Sequence, residues 1–204
     1  FPGGFPSGFG GFGGFGGPTP GADLTASTTI DFIDSIKGAT HKLHLQGMEP
    51  ISVKIPAGLT DGQKIKLRGK GQASMNGGPN GDLVVTVKVK PHPVFTRDGA
   101  NLRVTVPVTF VEAVLGATIS VPTLGSDPVK LKVAPGTPNG RVLRVKGKGV
   151  HNGKHEGDLL ATVEIAVPSH VSSKAAELLE QFAAELPDED ALELLEAVGL
   201  TEPG

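Results

Sequence analysis

The chain has no cysteine, no tryptophan and no tyrosine among its 204 residues. Without cysteine there is neither a disulfide framework nor a thiolate zinc site, and a reducing compartment suits such a chain. No stretch approaches 18 uncharged apolar residues, and no basic stretch precedes an apolar one, so the sequence reads as neither a helical membrane span nor a secretory signal peptide. A cytoplasmic location is the expectation. No serine, histidine and carboxylate set stands out. The segments GKGQASMNGG and GKGVHNGKHEG hold glycine and lysine without the fixed spacing of a phosphate-binding loop, and no helix follows them. His41 and His44 stand on opposite faces of a strand, which rules out one shared ion. His151, His155 and Glu156 are a faint metal signal in a glycine-rich turn. The expectation is a protein that is not an enzyme and needs no cofactor or metal.

What the chain does have is an internal repeat. Ile51 to Leu83, ISVKIPAGLTDGQKIKLRGKGQASMNGGPNGDL, returns as Val129 to Leu159, VKLKVAPGTPNGRVLRVKGKGVHNGKHEGDL. Gly58, Gly62, Gly69 and Gly71 recur 78 residues on as Gly136, Gly140, Gly147 and Gly149, and Phe32 and Gly38 recur as Phe110 and Gly116. Gly81-Asp82-Leu83 returns as Gly157-Asp158-Leu159 after a loop two residues shorter. That period is too long for a solenoid unit and suits a small domain with its own core.

Charge is unevenly laid out. From Lys37 to Lys154 there are 18 Lys and Arg against six Asp and Glu, a net +12, whereas Val171 to Gly204 holds one Lys against nine acids, a net −8. A basic body is thus joined to an acidic tail. Either solvated strand faces or a surface that meets an acidic partner accounts for the excess.

Residues 1–21 carry ten glycines, five of the nine phenylalanines and no charge. Ordering so much glycine costs more than a few rings return, so residues 1–25 are expected to form a disordered tether. Phe1, Phe5, Phe9, Phe12 and Phe15 are either spaced stickers or part of a passive linker. From residue 26 the pattern is that of strands: Leu43 and Leu45, then Ile51, Val53 and Ile55, then Ile65 and Leu67, alternate with polar neighbours. Runs at 83–89 and 102–108 follow, and 119–121, 129–133, 142–145 and 159–167 are their counterparts. Such alternation predicts antiparallel sheets wet on one face. Short helices are expected at 32–37 and 110–115, each ended by a glycine in a left-handed cap. Asp61-Gly62 and Asn139-Gly140 read as hairpin turns. After Pro168 the period becomes helical, with Ser172 or Ser173 capping a helix through Leu186 and a second helix beginning at Pro187-Asp188 and carrying Leu192, Leu195 and Val198. These helices either dock on the second β domain or pair with another copy of the chain. The fold class expected is mainly β: a first β-rich domain at 26–92, a second at 93–170, both sandwich-like with short helices, and a helical segment at 171–204.

Taken together, the Gly/Phe-rich start, the paired IPAGLTDGQKIKLRGKG and VAPGTPNGRVLRVKGKG, the intervening PHPVFTRDGANLRVTVPVTFVEAVLGAT and the closing SSKAAELLEQF resemble the client-binding half of the DnaJ co-chaperones. The resemblance spans essentially the whole chain. It implies two β-rich domains that hold unfolded or partly folded polypeptide and deliver it to a DnaK-type chaperone, with the last helical segment joining two protomers through Leu178, Phe182 and Leu186. Two departures limit it. The family's J domain carries a His-Pro-Asp tripeptide, whereas His92-Pro93 here is followed by Val94; a J domain ahead of Phe1 is expected in the natural protein. Many members also insert a cysteine-rich zinc module where only Gln46 to Pro50 stands in this chain. Its absence is either natural or a deletion.

A site for many clients suits an exposed sheet edge beside an apolar groove. In the first domain that groove is expected near Leu43, Leu45, Val53, Ile55, Ile65 and Leu67; the alternative is that these residues only form the core. Lys54, Lys64, Lys66 and Arg68 would flank it, and in some relatives basic residues there receive the partner chaperone's acidic C-terminal tail. A DNA-associated protein using the basic surface is the alternative function, opposed by the missing Tyr and Trp and by the acidic tail.

Overall fold

A computed structural model describes residues 17–187 and 193–195. Two compact units make up the chain, the first reaching Ile165 and the second starting at Ala166.

Within the first unit the repeat of the sequence becomes a repeat of structure. The first copy runs β1 (Leu24–Ile30), α1 (Phe32–Lys37), β2 (Ala39–Leu43), β3 (Ile51–Ile55), β4 (Gln63–Leu67) and β5 (Leu83–Val89). A short strand β6 (Phe95–Asp98) then leads into the second copy: β7 (Asn101–Thr109), α2 (Phe110–Leu115), β8 (Ala117–Thr123), β9 (Ser126–Val133), β10 (Val142–Val145) and β11 (Leu159–Ala166). The order of sheets is β1-β5-β4 with a separate hairpin β2-β3, and β10-β11-β7-β6 with a separate hairpin β8-β9. The mainly β, sandwich-like architecture is therefore as the alternation required.

Each copy buries one stripe from each sheet. Ile30, Leu43, Val53, Ile55, Leu59, Leu83, Val85 and Val87 form the first core, and a larger cluster centred on Leu102, Val108, Val121, Val133 and Leu159 forms the second. The period-2 pattern turns every second residue of β5 inward, and Leu83, Val85 and Val87 are each fully buried.

Three local expectations are corrected. β1 pairs parallel with β5, from Leu24 opposite Leu83 to Ile30 opposite Val89, so the first sheet is mixed rather than purely antiparallel. The whole of α1 to β4 serves as the crossover that a parallel pair needs. Asp61-Gly62 and Asn139-Gly140 do not close hairpins, because β3 and β4, like β9 and β10, belong to different sheets. Their side chains instead tie the turn to the far end of a strand: Asp61 Oδ1 accepts from Val89 N at 2.7 Å, and Asn139 Oδ1 from Ile165 N at 2.8 Å. Finally, Gly38 and Gly116 end their helices at φ 79° and 83° with ψ near 150°, a glycine-only region outside the left-handed helical well.

The recurring Gly-Asp-Leu triplet has a steric reason. A Cβ on Gly81 would overlap the Ala22 carbonyl, and one on Gly157 would overlap the carbonyl of Ala100, the counterpart of Ala22 in the second copy. In both copies two backbones cross where only glycine fits.

The second unit carries α3 (Ser173–Ala184), capped by Ser172, whose Oγ accepts from Ala175 N at 3.1 Å. It ends two residues before Leu186. Residues 1–16, with the five tether phenylalanines, and most of the expected second helix, including Leu192 and Val198, lie outside the described residues.

Candidate functional site

The six apolar candidates of the first copy all belong to one cluster, at two depths. Leu43 on β2 and Val53 and Ile55 on β3 are core residues, at 7%, 0% and 2% exposure. Leu45, just past β2, and Ile65 and Leu67 on β4 are half-buried and pack against that core from its rim, as Ile51 does. The residues thus divide into a floor and a margin.

That margin lies among unpaired strand edges. Among the described residues β2 hydrogen-bonds only to β3, and β4 only to β5, so each has one free edge. Where β3 begins, a cleft of about 420 Å³ opens between Met48, Pro50 and Ile51 on one side and Gly69, Lys70 and Gly71 on the other. Met48 is 39% exposed there. An open edge with free N–H and C=O groups next to half-buried leucines is an arrangement that accepts an extended chain irrespective of its sequence.

The charges around it are only partly free. Lys66 pairs with Asp82 at 2.9 Å, an interaction that raises the lysine pKa through its hydrogen bond and the carboxylate's charge. Lys54, Lys64 and Arg68 are exposed. Asp82 also accepts from Gly69 N at 2.9 Å, and that backbone donor, followed by Lys66, holds its pKa below the usual carboxylate range. The second copy repeats the device: Asp158 accepts from Gly147 N at 2.9 Å and from Arg144, and its pKa is lowered first by the Gly147 N–H and then by the arginine. Both aspartates brace a glycine-rich loop after an edge strand.

A larger cleft, about 820 Å³, lies between the two copies, lined by Phe32, Leu59, His92, Phe95, Arg97 and Val150. Its polar groups are already committed inside the fold. His92 lies between Phe32 and Phe95 in tilted ring contacts, at 5.7 and 5.3 Å between centroids, and its Nδ1 accepts from Val94 N and Phe95 N. Arg97 donates to the carbonyls of Gly58, Leu59 and Gly99 at 2.7–2.9 Å. Sequence reasoning missed both roles, since neither residue recurs in the repeat; this cleft lies at the joint of the two copies.

No group of three or more His, Asp or Glu fit to hold a metal ion occurs among the described residues. His151 faces Glu156 at 3.5 Å, and its Nε2 lies 3.0 Å from Gly147 O; His155 adds no third ligand to them. No helix among the described residues is long and apolar enough to cross a membrane.

The sequence profile of the DnaJ C terminal domain matches residues 24–168, from the first residue of β1 to just past β11. The chain belongs to the DnaJ C-terminal domain family. It is 57% identical over 133 residues to Chaperone protein DnaJ 2 of Corynebacterium efficiens, covering 65% of this chain and 33% of that protein. Against Chaperone protein DnaJ 1 of Streptomyces avermitilis the figures are 55% over 141 residues, 69% and 36%. Chaperone protein DnaJ 1 of Mycobacterium bovis is 52% identical over 135 residues, 66% of this chain and 34% of that protein. The chain therefore matches about a third of the length of these DnaJ relatives.

On α3, Leu178 and Phe182 share a face, and Leu186 follows beyond the helix end; their exposures are 52%, 39% and 51%. The helix buries none of its residues.

Proposed function

We propose that this chain holds unfolded or partly folded polypeptides at the first repeat, without bond-making chemistry of its own, and delivers them to a DnaK-type chaperone in the cytoplasm. The observation that supports this most is the half-buried margin of Leu45, Ile65 and Leu67 over the Leu43, Val53 and Ile55 floor, beside the free edge of β2. A client strand adds to that edge through main-chain hydrogen bonds, and its apolar side chains rest on the margin. Burying one Leu- or Phe-sized side chain contributes roughly 1.5–3 kcal/mol, which suits capture that is weak enough to reverse.

Two protomers strengthen such capture by acting together. The apolar face of Leu178, Phe182 and Leu186 supports pairing through the C-terminal segment. Lys54, Lys64 and Arg68 are exposed cations available to an acidic tail of the partner chaperone, while Lys66 must first leave Asp82. The experiment that tests the reading is suppression of the aggregation of a chemically denatured protein by the purified chain, which is expected near equimolar ratio. Unchanged aggregation at several-fold molar excess removes it.

A further inference from the structure

The chain contains one joint between its repeats, and the repeat supplies both of that joint's elements a second time. In the joint, α1 lies on the β8–β9 turn. Lys37 Nζ donates to the Gly125 carbonyl at 2.8 Å, and a Cβ on Gly125 would meet the Lys37 amine and lie 3.0 Å from Ile33 Cδ1. Ile36 is 5% exposed because it enters the core of the second copy, where Phe32 and Leu124 also pack.

The 78-residue offset carries each half of this joint to a place where, among the described residues, no counterpart covers it. Ile33, Ile36 and Lys37 of α1 become Val111, Val114 and Leu115 of α2. The turn Thr123 to Pro128 becomes Leu45 to Pro50, with Gly125 matched by Gly47 at similar φ, 66° and 76°. Yet Val114 is 38% exposed where Ile36 is 5%, and Val111 and Leu115 are 60% and 70% exposed. Around Gly47 there is open space within 4 Å, where Gly125 is crowded by α1.

We propose that α2 of one copy of this chain docks on the Leu45–Pro50 turn of a second copy, repeating the internal joint between molecules. The substitutions match as a pair: Leu115 replaces the Lys37 that donates to Gly125, and Met48 replaces Ser126 beside that glycine, so a polar contact becomes an apolar one. The surfaces are different on the two partners, so the contact is heterologous, giving a ring where the rotation closes and a head-to-tail array where it does not. A six-residue helix on one turn covers far less than a standard interface, so association is weak and rises with concentration. It goes beyond the client-holding reading but shares the Leu45–Pro50 turn with that margin, so a docked α2 and a client compete there.

Because this chain has no cysteine, single introduced thiols report the contact directly. Met48→Cys and Leu115→Cys are made in separate full-length chains, at positions exposed enough to leave folding intact. Under mild oxidation at rising concentration the mixture of the two gives a disulfide dimer, each variant alone gives only a trace, and adding Val111→Asp to the Leu115→Cys chain abolishes the mixed dimer while its melting curve is unchanged. No dimer in the mixture overturns the proposal. Equal dimer from Leu115→Cys alone also overturns it, by showing a two-fold contact through α2.

Discussion

Arg97 of β6, between the two repeats, donates to the Gly58 carbonyl of the first, Nη2 to O at 2.9 Å, while Nη1 takes the neighbouring Leu59 carbonyl at 2.7 Å. Among the described residues no carboxylate answers the guanidinium; three main-chain oxygens do, the third being Gly99 O. Burial accordingly lowers its pKa, although arginine stays charged throughout the accessible range. The planar fork sets the distance between the repeats, a task that a lysine's single ammonium does not perform.

Replacing it tests that role. Arg97→Met removes three donors and leaves part-buried carbonyls unpaired, which costs about 1–3 kcal/mol. Urea unfolding should show a lower midpoint; an unchanged midpoint means the strut contributes nothing.

Acid should weaken both glycine-rich loops. Asp82 and Asp158 have folded pKa values depressed by the Gly69 and Gly147 N–H groups and by Lys66 and Arg144. A depressed carboxylate adds stability that is fully present well above its unfolded pKa of about 3.9 and is lost as pH falls through the folded value. Stability should therefore decline from about pH 5 downward. The double variant Asp82→Asn, Asp158→Asn starts lower at pH 7 and loses less on acidification. Parallel pH curves for the two proteins would contradict the assignment.

Floor and margin should separate under mutation. Ile55→Ala empties a site that is 2% exposed and costs about 2–5 kcal/mol of stability. Leu45→Ser and Leu67→Ser act at half-buried positions and should spare most of the stability, yet each weakens client binding by roughly tenfold or more. Aggregation suppression by the Leu45→Ser, Leu67→Ser chain should be largely lost at equal folded fraction. Retained suppression would remove the margin from the site.

These same residues show what the sequence carried and what it did not. Alternation marks a half-wet strand, and the strands around Val53, Ile65 and Val85 lie where the alternation put them, whereas β2 ends at Leu43 and leaves Leu45 beyond it. β1 (LTASTTI) escaped because its inward stripe uses Ala26 and Thr28, and β6 (FTRD) because four residues hold too little pattern. Parallel pairing of β1 with β5 depends on a crossover of some fifty residues, which no local signal encodes. Leu43 and Leu45 have identical patterning two residues apart, yet one is floor and the other margin, because depth is set by the neighbouring sheet. His92 and Arg97 stand outside the repeat and act through backbone groups that any sequence has.

Pairing through the C-terminal segment is checked by sedimentation. The full chain should sediment as a dimer at micromolar concentration, and Leu178→Asp with Phe182→Asp should shift it to monomer. If both proteins sediment as monomers, the segment does not join protomers.

Amide hydrogen exchange of the full chain, with and without an extended apolar peptide, addresses the holding of clients most directly. Strand addition predicts slowed exchange along β2, Ala39–Leu43, and around Leu45, with little change in β8. Saturating peptide that leaves β2 exchange unchanged, or protects only other strands, would contradict it.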